Sequence, residues 1–191
     1  MTDVQPGDVI LARSGGLAAA MIRLGAALRD APNLQNHVAV AHHTDAHGTL
    51  WVIEGRPGGA GWRDAKAYLA SPWVLTNAGQ PKTGAQRKAV CDIMQAMIGT
   101  AYDWEAIAAD GAADLHLDTA WLPAWNGTVP GHVVCSNLAA YAYGKASLAC
   151  PAGGRAVQPS DWSAWILTRG WGKPTGPLYR ERRFNCPVRA S

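Results

Sequence analysis

One cysteine of this chain stands where a thiol becomes reactive. Cys135 lies in Gly131-His132-Val133-Val134-Cys135-Ser136-Asn137-Leu138, where a short apolar run ends and an Ala-rich helical pattern begins. A helix N-terminus presents unpaired backbone N–H groups and the positive end of the macrodipole, and both stabilise a thiolate. Nucleophilic thiol chemistry further needs a base paired with the sulfur, a group that orients the base, and donors for a tetrahedral oxyanion. His37, in Asn36-His37-Val38-Ala39-Val40, is the candidate base, and Glu54, in Trp51-Val52-Ile53-Glu54-Gly55, is the candidate orienting acid. In this assignment Cys135 attacks a carbonyl, His37 protonates the leaving group, and Glu54 holds the imidazole. The Cys135 N–H contributes to the oxyanion hole. His132, close to Cys135 on the same local segment, is the weaker alternative base. Singly, each residue has a plainer reading: a packed cysteine, a satisfied strand histidine, a solvated strand-end glutamate. Their conjunction points to chemistry.

Two strands must hold the base and the acid together. Val38 and Val40 alternate with His37 and Ala39, and Leu50 to Glu54 returns after the polar stretch His43 to Gly48, so the pattern predicts a hairpin. With its centre within Asp45 to Gly48, Ala39 falls opposite Glu54 and His37 sits one diagonal away on the same face, at roughly 5 to 8 Å. A slip of one residue would send the acid to the other face.

The remaining elements follow from periodicity and caps. Val9-Ile10-Leu11 after Pro6-Gly7-Asp8 reads as a strand, and Leu17, Met21, Leu24 and Leu28 fall on one face of a helix ending near Asp30-Ala31-Pro32. Asp64 caps a short helix through Leu69, and Trp73 to Thr76 reads as a further strand. Thr83-Gly84-Ala85-Gln86 is a capping-box pattern, followed by Val90, Ile93, Met94 and Met97 at helical spacing, with Gly99 as the stop. Tyr102-Asp103-Trp104 opens a helix through about Ala113, and the irregular stretch Leu115 to Pro130 reads as an insertion overhanging the site. Cys135 to about Ala146 forms the thiol-bearing helix, and Pro159-Ser160-Asp161 opens a last one through Leu167. From Gly170 the periodicity ends. The pattern therefore predicts one domain over residues 1–170 and an extended tail over 171–191.

The order His, acid, Cys reverses that of ordinary papain-like enzymes, which place the cysteine first. Together with the local motifs it resembles the circularly permuted branch of the papain-like superfamily, which includes NlpC-like and YiiX-like cysteine peptidases and amidases and the lecithin:retinol acyltransferase relatives. Gly7-Asp8-Val9-Ile10-Leu11 is similar to the family's opening Gly-Asp strand, and Asn36 to Val40 to its histidine strand. Val52-Ile53-Glu54-Gly55 is similar to the acid-bearing strand, Tyr102-Asp103-Trp104 to the Tyr-Asp element, and Val134-Cys135-Ser136-Asn137-Leu138 to the nucleophile motif. In that motif the family leads one to expect an acidic residue where Asn137 stands. The resemblance implies an α+β, circularly permuted papain-like fold with a small antiparallel sheet packed on helices. It implies thiol-dependent hydrolysis of an amide or isopeptide bond, of the kind found in peptidoglycan-type peptides, with Cys135, His37 and Glu54 as the catalytic residues. Tyr102 and Asp103 would lie at the substrate, and Trp121 and Trp125 of the insertion would help to hold it. Two other readings stand beside this one. The same site suits an acyltransferase or thioesterase acting on lipid-type acyl groups, and a catalytically silent virion-structural or binding protein would keep the fold without turnover.

Composition narrows the partners. At 191 residues with a net charge of +3, the chain is long enough for one well-buried core, and nothing in its charge calls for nucleic acid. Arg180, Arg182, Arg183 and Arg189 crowd the tail, which could meet a protein assembly partner but reads first as solvated. The four cysteines, Cys91, Cys135, Cys150 and Cys186, form no CxxC pair and no zinc spacing. His42, His43 and His47 with Asp45 lack the rigid spacing of a helical zinc site and read as solvated histidines of the hairpin turn. No metal and no cofactor is expected; the expected partner is a peptide or acyl substrate. The first residues lack the basic-then-apolar pattern of a secretory signal, and Leu17 to Leu28, broken by Arg23, is too short to span a bilayer. A cytoplasmic protein is expected on that ground, or a component of a phage virion.

Overall fold

Short runs of apolar and β-branched residues, broken by Asp, Gly and Pro, build the sheet that carries His37 and Glu54. The computed structural model describes residues 4–16, 19–20, 22–24, 35–69, 73–104, 132–151 and 157–172. Within them β1 (Val9–Ala12), β2 (His37–Thr44), β3 (Leu50–Arg56), β4 (Gly59–Asp64) and β5 (Leu75–Thr76) form a five-stranded antiparallel sheet in the order β4-β3-β2-β1-β5. Helices α1 (Lys66–Leu69), α2 (Gly84–Ala96), α3 (Cys135–Lys145) and α4 (Pro159–Thr168) accompany it. A parallel pair, β6 (Ala101–Tyr102) and β7 (His132–Val133), leads into α3. The architecture is thus α+β, with a small antiparallel sheet packed against helices. No helix of the described residues is long and apolar enough to cross a membrane.

Alternation along the strands divides the core. Val9, Leu11, Val38, Val40 and Ile53 pack with Leu138, Ala142 and Tyr143 of α3, Met94 of α2 and Trp162 of α4. Ile10, Ala12, Ala39, Ala41 and Val52 face the other way, against Tyr68 and Val74. Helix α2 opens on the expected box, Gln86 N donating to Thr83 Oγ1 at 3.2 Å and Thr83 N to Gln86 Oε1 at 3.0 Å. Lys66 N donates to Asp64 Oδ1 at 2.7 Å, the cap expected for α1. Asp8, at the mouth of β1, is fully buried: Oδ1 accepts from Lys82 Nζ at 2.7 Å and Arg87 Nη1 at 2.8 Å, and Oδ2 from Gln5 N at 2.8 Å.

The sheet departs from the sequence reading in four places. β4, which carries two glycines and an aspartate and little strand-forming character, pairs with β3 from Trp51 to Arg56. His42 and His43 belong to β2 and not to the turn, because a bulge between Ala41 and His43 prolongs the ladder beyond them. Trp73 and Val74 precede β5, which is reduced to Leu75 and Thr76. Tyr102 closes β6 where a helix start was expected; helical geometry begins at Trp104. Of the expected Leu17 to Leu28 helix, Ala19–Ala20 and Ile22–Leu24 are helical and the rest lies outside the described residues. Trp171, the first residue of the expected tail, meets Trp165 edge-on at 4.7 Å, and its carbonyl accepts from Gly79 N at 2.8 Å.

Candidate active site

The hairpin delivers the base and the acid to one place. Ala39 pairs with Glu54 in the β2–β3 register, as expected, and Gly48 N donates to Asp45 O at 3.0 Å across the turn. The bulge on the turn side of Ala41 sets that pairing: Thr44↔Leu50 and His43↔Trp51 continued without it would bring Val40 opposite Glu54, and the extra residue brings Ala39 there instead. His37, at the first position of β2, donates from Nε2 to Glu54 Oε2 at 2.8 Å. That bond fixes the ring and leaves Nδ1 for the sulfur of Cys135, with which His37 is hydrogen-bonded.

The third residue arrives on α3. Its N-cap is Val134, whose side chain makes no capping bond. The earliest backbone bond of the helix is Leu138 N to Val134 O at 2.9 Å, so the N–H groups of the first turn are not spent within it. An apolar N-cap costs about 1 kcal/mol against Ser or Asp, and here it keeps the helix terminus for the thiol, which accepts from the backbone N–H groups of Ser136 and Val38. Gly55 makes this approach possible. A Cβ there would stand 3.2 Å from Cys135 N and 3.4 Å from its Cα, so a larger residue would require the backbone at Cys135 to give by a few tenths of an ångström. Asn137, where an acid was expected, is buried and accepts from Val157 N through Oδ1 at 2.8 Å, tying α3 to the segment before α4.

Charge decides the protonation states. Burial works against an ionised pair, pushing the Cys135 thiol up and the His37 imidazole down. The mutual attraction of the two groups and their hydrogen bonds outweigh it: the thiol is lowered and His37 is raised to about 10. Burial likewise opposes the Glu54 carboxylate, but its bond to His37 and the charge there hold it below the ordinary value. Both shifts favour a thiolate and an imidazolium braced by a carboxylate. The other thiols differ: burial pushes Cys91 up to about 11 and raises Cys150 as well. Cys186 lies outside the described residues.

Three side chains that the sequence reading did not single out complete the surroundings. Tyr68 of α1 donates its hydroxyl to Glu54 Oε2, the same oxygen that His37 uses. Burial and the Glu54 charge raise the phenol, which keeps it a donor. Arg56 and Arg63 each bring Nη1 to 3.7 Å from Glu54 Oε1. Arg56 was within reach of strand alternation, standing two residues from Glu54; Tyr68 and Arg63 depend on α1 and β4 folding back over β3. A cleft of about 190 Å³ opens here, lined among others by His37, Glu54, Arg56, Arg63, Tyr68 and Tyr102.

Tyr102 lines the cleft, and its phenol is raised by burial and then by the charge of Cys135. Asp103 is half-buried at the next position. Trp121 and Trp125 lie outside the described residues, as does the whole 115–130 insertion. His132 belongs to β7, paired with Ala101. Of the histidines expected to be solvated, His43 and His47 are exposed and His42 is half-buried; the rings of His42 and His43 meet Trp62 edge-on at 4.8 and 5.4 Å, and their Nδ1 atoms are 3.1 Å apart. Asp45 is taken up in closing the turn, accepting from His47 N, Thr49 N and Trp51 Nε1, each at 2.9 Å. Among the described residues, no three His, Cys, Asp or Glu side chains come together in a way that could hold a metal ion.

Compared with known families and curated proteins, the chain matches no family model and no curated sequence.

Proposed function

We propose that this chain is a cysteine hydrolase of circularly permuted papain-like fold, cleaving an amide or isopeptide bond. One observation carries the reading: a buried thiol at the N-terminus of α3 bonds to a histidine that is itself bonded to a buried carboxylate. In the first half-reaction the Cys135 thiolate forms a C–S bond to the scissile carbonyl carbon. The tetrahedral oxyanion collapses, the C–N bond breaks, and the His37 proton goes to the departing amine, leaving a thioester. Water then attacks the thioester and gives a proton to His37; the C–S bond breaks, releasing a carboxylic acid and restoring the pair. The N–H groups of the α3 first turn are the available donors for the oxyanion. A peptidoglycan-type peptide is the substrate class that the family resemblance favours.

Labelling with a thiol-directed acyl electrophile tests the proposal. The native protein is expected to be acylated at Cys135, with Cys91 and Cys150 spared and Cys135→Ser unlabelled. Equal labelling of the three thiols, or labelling of Cys135 only after denaturation, would refute it.

A further inference from the structure

The cleft holds more positive charge than the His37–Glu54 pair uses. Arg56 follows Glu54 by two positions on β3 and so shares its face, and Arg63 of β4 pairs with Val52, which shares that face too. Their Nη1 atoms both lie 3.7 Å from Glu54 Oε1, beyond hydrogen-bond length, and that buried oxygen accepts no hydrogen bond among the described residues. The other carboxylate oxygen is occupied by His37 and Tyr68. Among the described residues Arg56 otherwise reaches only the Trp62 carbonyl, at 3.5 Å, and Arg63 lies 5.5 Å above the Tyr68 ring. Both side chains are about two-fifths exposed, at 42% and 41%, and both line the cleft. Two guanidiniums therefore converge on one carboxylate, which neutralises one of them and satisfies the donors of neither.

We propose that Arg56 and Arg63 form an anion subsite that receives a carboxylate of the substrate beside the scissile carbonyl. The preferred substrate is then an acyl or peptide amide bearing a free carboxylate a few bonds from the bond that is cut. A single surplus positive charge matches a monoanionic carboxylate better than a dianionic phosphate, and a planar carboxylate fits the guanidinium fork. This assignment rests on Cys135 being the nucleophile.

Two alkylating reagents that differ only in charge separate the subsite from the thiol. Iodoacetate and iodoacetamide deliver the same carbon to sulfur with loss of iodide, so the ratio of their rates at Cys135, divided by the ratio for free glutathione, reports anion recognition. The wild-type quotient is expected to favour iodoacetate by about fivefold or more. Arg56→Gln and Arg63→Gln should each lower it, the double Gln variant should abolish it, and the double Lys variant should keep most of it. A second measurement needs no substitution: propionate should slow iodoacetamide labelling of Cys135, and propionamide at equal concentration should not. A quotient near one in wild type, equal effects of propionate and propionamide, or a preference that persists in the double Gln variant would overturn the subsite while leaving a reactive Cys135 in place. If neither reagent modifies Cys135 faster than Cys91, the thiol reading fails and the subsite with it.

Discussion

Replacing His37 with alanine is expected to lower turnover by roughly 10²- to 10⁴-fold, and to raise the Cys135 thiol, with the fold retained. His37 provides the leading charge and side-chain bond that offset the burial of Cys135, so without it desolvation prevails and the thiolate is lost near neutrality. Glu54→Gln is expected to cost less. His37 and Tyr68 donate to one and the same oxygen of Glu54, and a glutamine can set its carbonyl there and keep both bonds. What it loses is the charge that helps to hold His37 protonated. It also turns an NH₂ group toward Arg56 and Arg63. Cleavage kinetics of the three proteins, with circular dichroism to establish folding, check the order wild type, Glu54→Gln, His37→Ala. An Ala variant as active as wild type would remove His37 from the mechanism.

The second large effect concerns stability and lies away from the thiol. Asp8→Ala is expected to destabilise the protein by about 3 to 5 kcal/mol, because it strands buried cations. Lys82 has a fully buried side chain and Arg87 one that is mostly buried, and both close on Asp8 Oδ1. Burial pushes the Lys82 ammonium down even with Asp8 present, so removal of Asp8 leaves that charge, among the described residues, with the Asn77 carbonyl at 3.0 Å and the Tyr143 ring at 6.0 Å to meet it. For a chain of this size, each kcal/mol corresponds to roughly 2 to 4 °C in Tm. Thermal and urea denaturation check the loss. A change below about 1 kcal/mol would mean that the cluster contributes no more than an exposed pair.

The His37–Glu54 contact was legible from the apolar alternation on both strands and the approximate centre of the polar turn. The bulge at His42 escaped the sequence reading, yet it is the extra residue that brings Ala39 rather than Val40 opposite Glu54. Cys135 was legible from the switch between strand and helix patterns. β4 was not, since Gly59, Gly61 and Asp64 are poor strand formers and the strand is held by its pairing with β3 rather than by its own propensity. With β4 hidden, Arg63 could not be placed beside Glu54. Tyr68 sits on a helix of a single turn, and nothing local ties its hydroxyl to a carboxylate on another element. The packing of His42 and His43 on Trp62 depends on the same hidden strand.

The central claim is an ionised Cys135–His37 pair, and the pH dependence of Cys135 alkylation by iodoacetamide measures it directly. The thiol is lowered, so reactivity should set in below the pH at which an ordinary thiol ionises. His37 is raised to about 10, so the imidazolium persists across neutrality and a second inflection should follow near that pH as its proton leaves. Two inflections, the lower one below the ordinary thiol value and lost in His37→Ala, are the predicted result. A single inflection near the ordinary thiol value of about 8.5, the same in wild type and His37→Ala, would contradict the account.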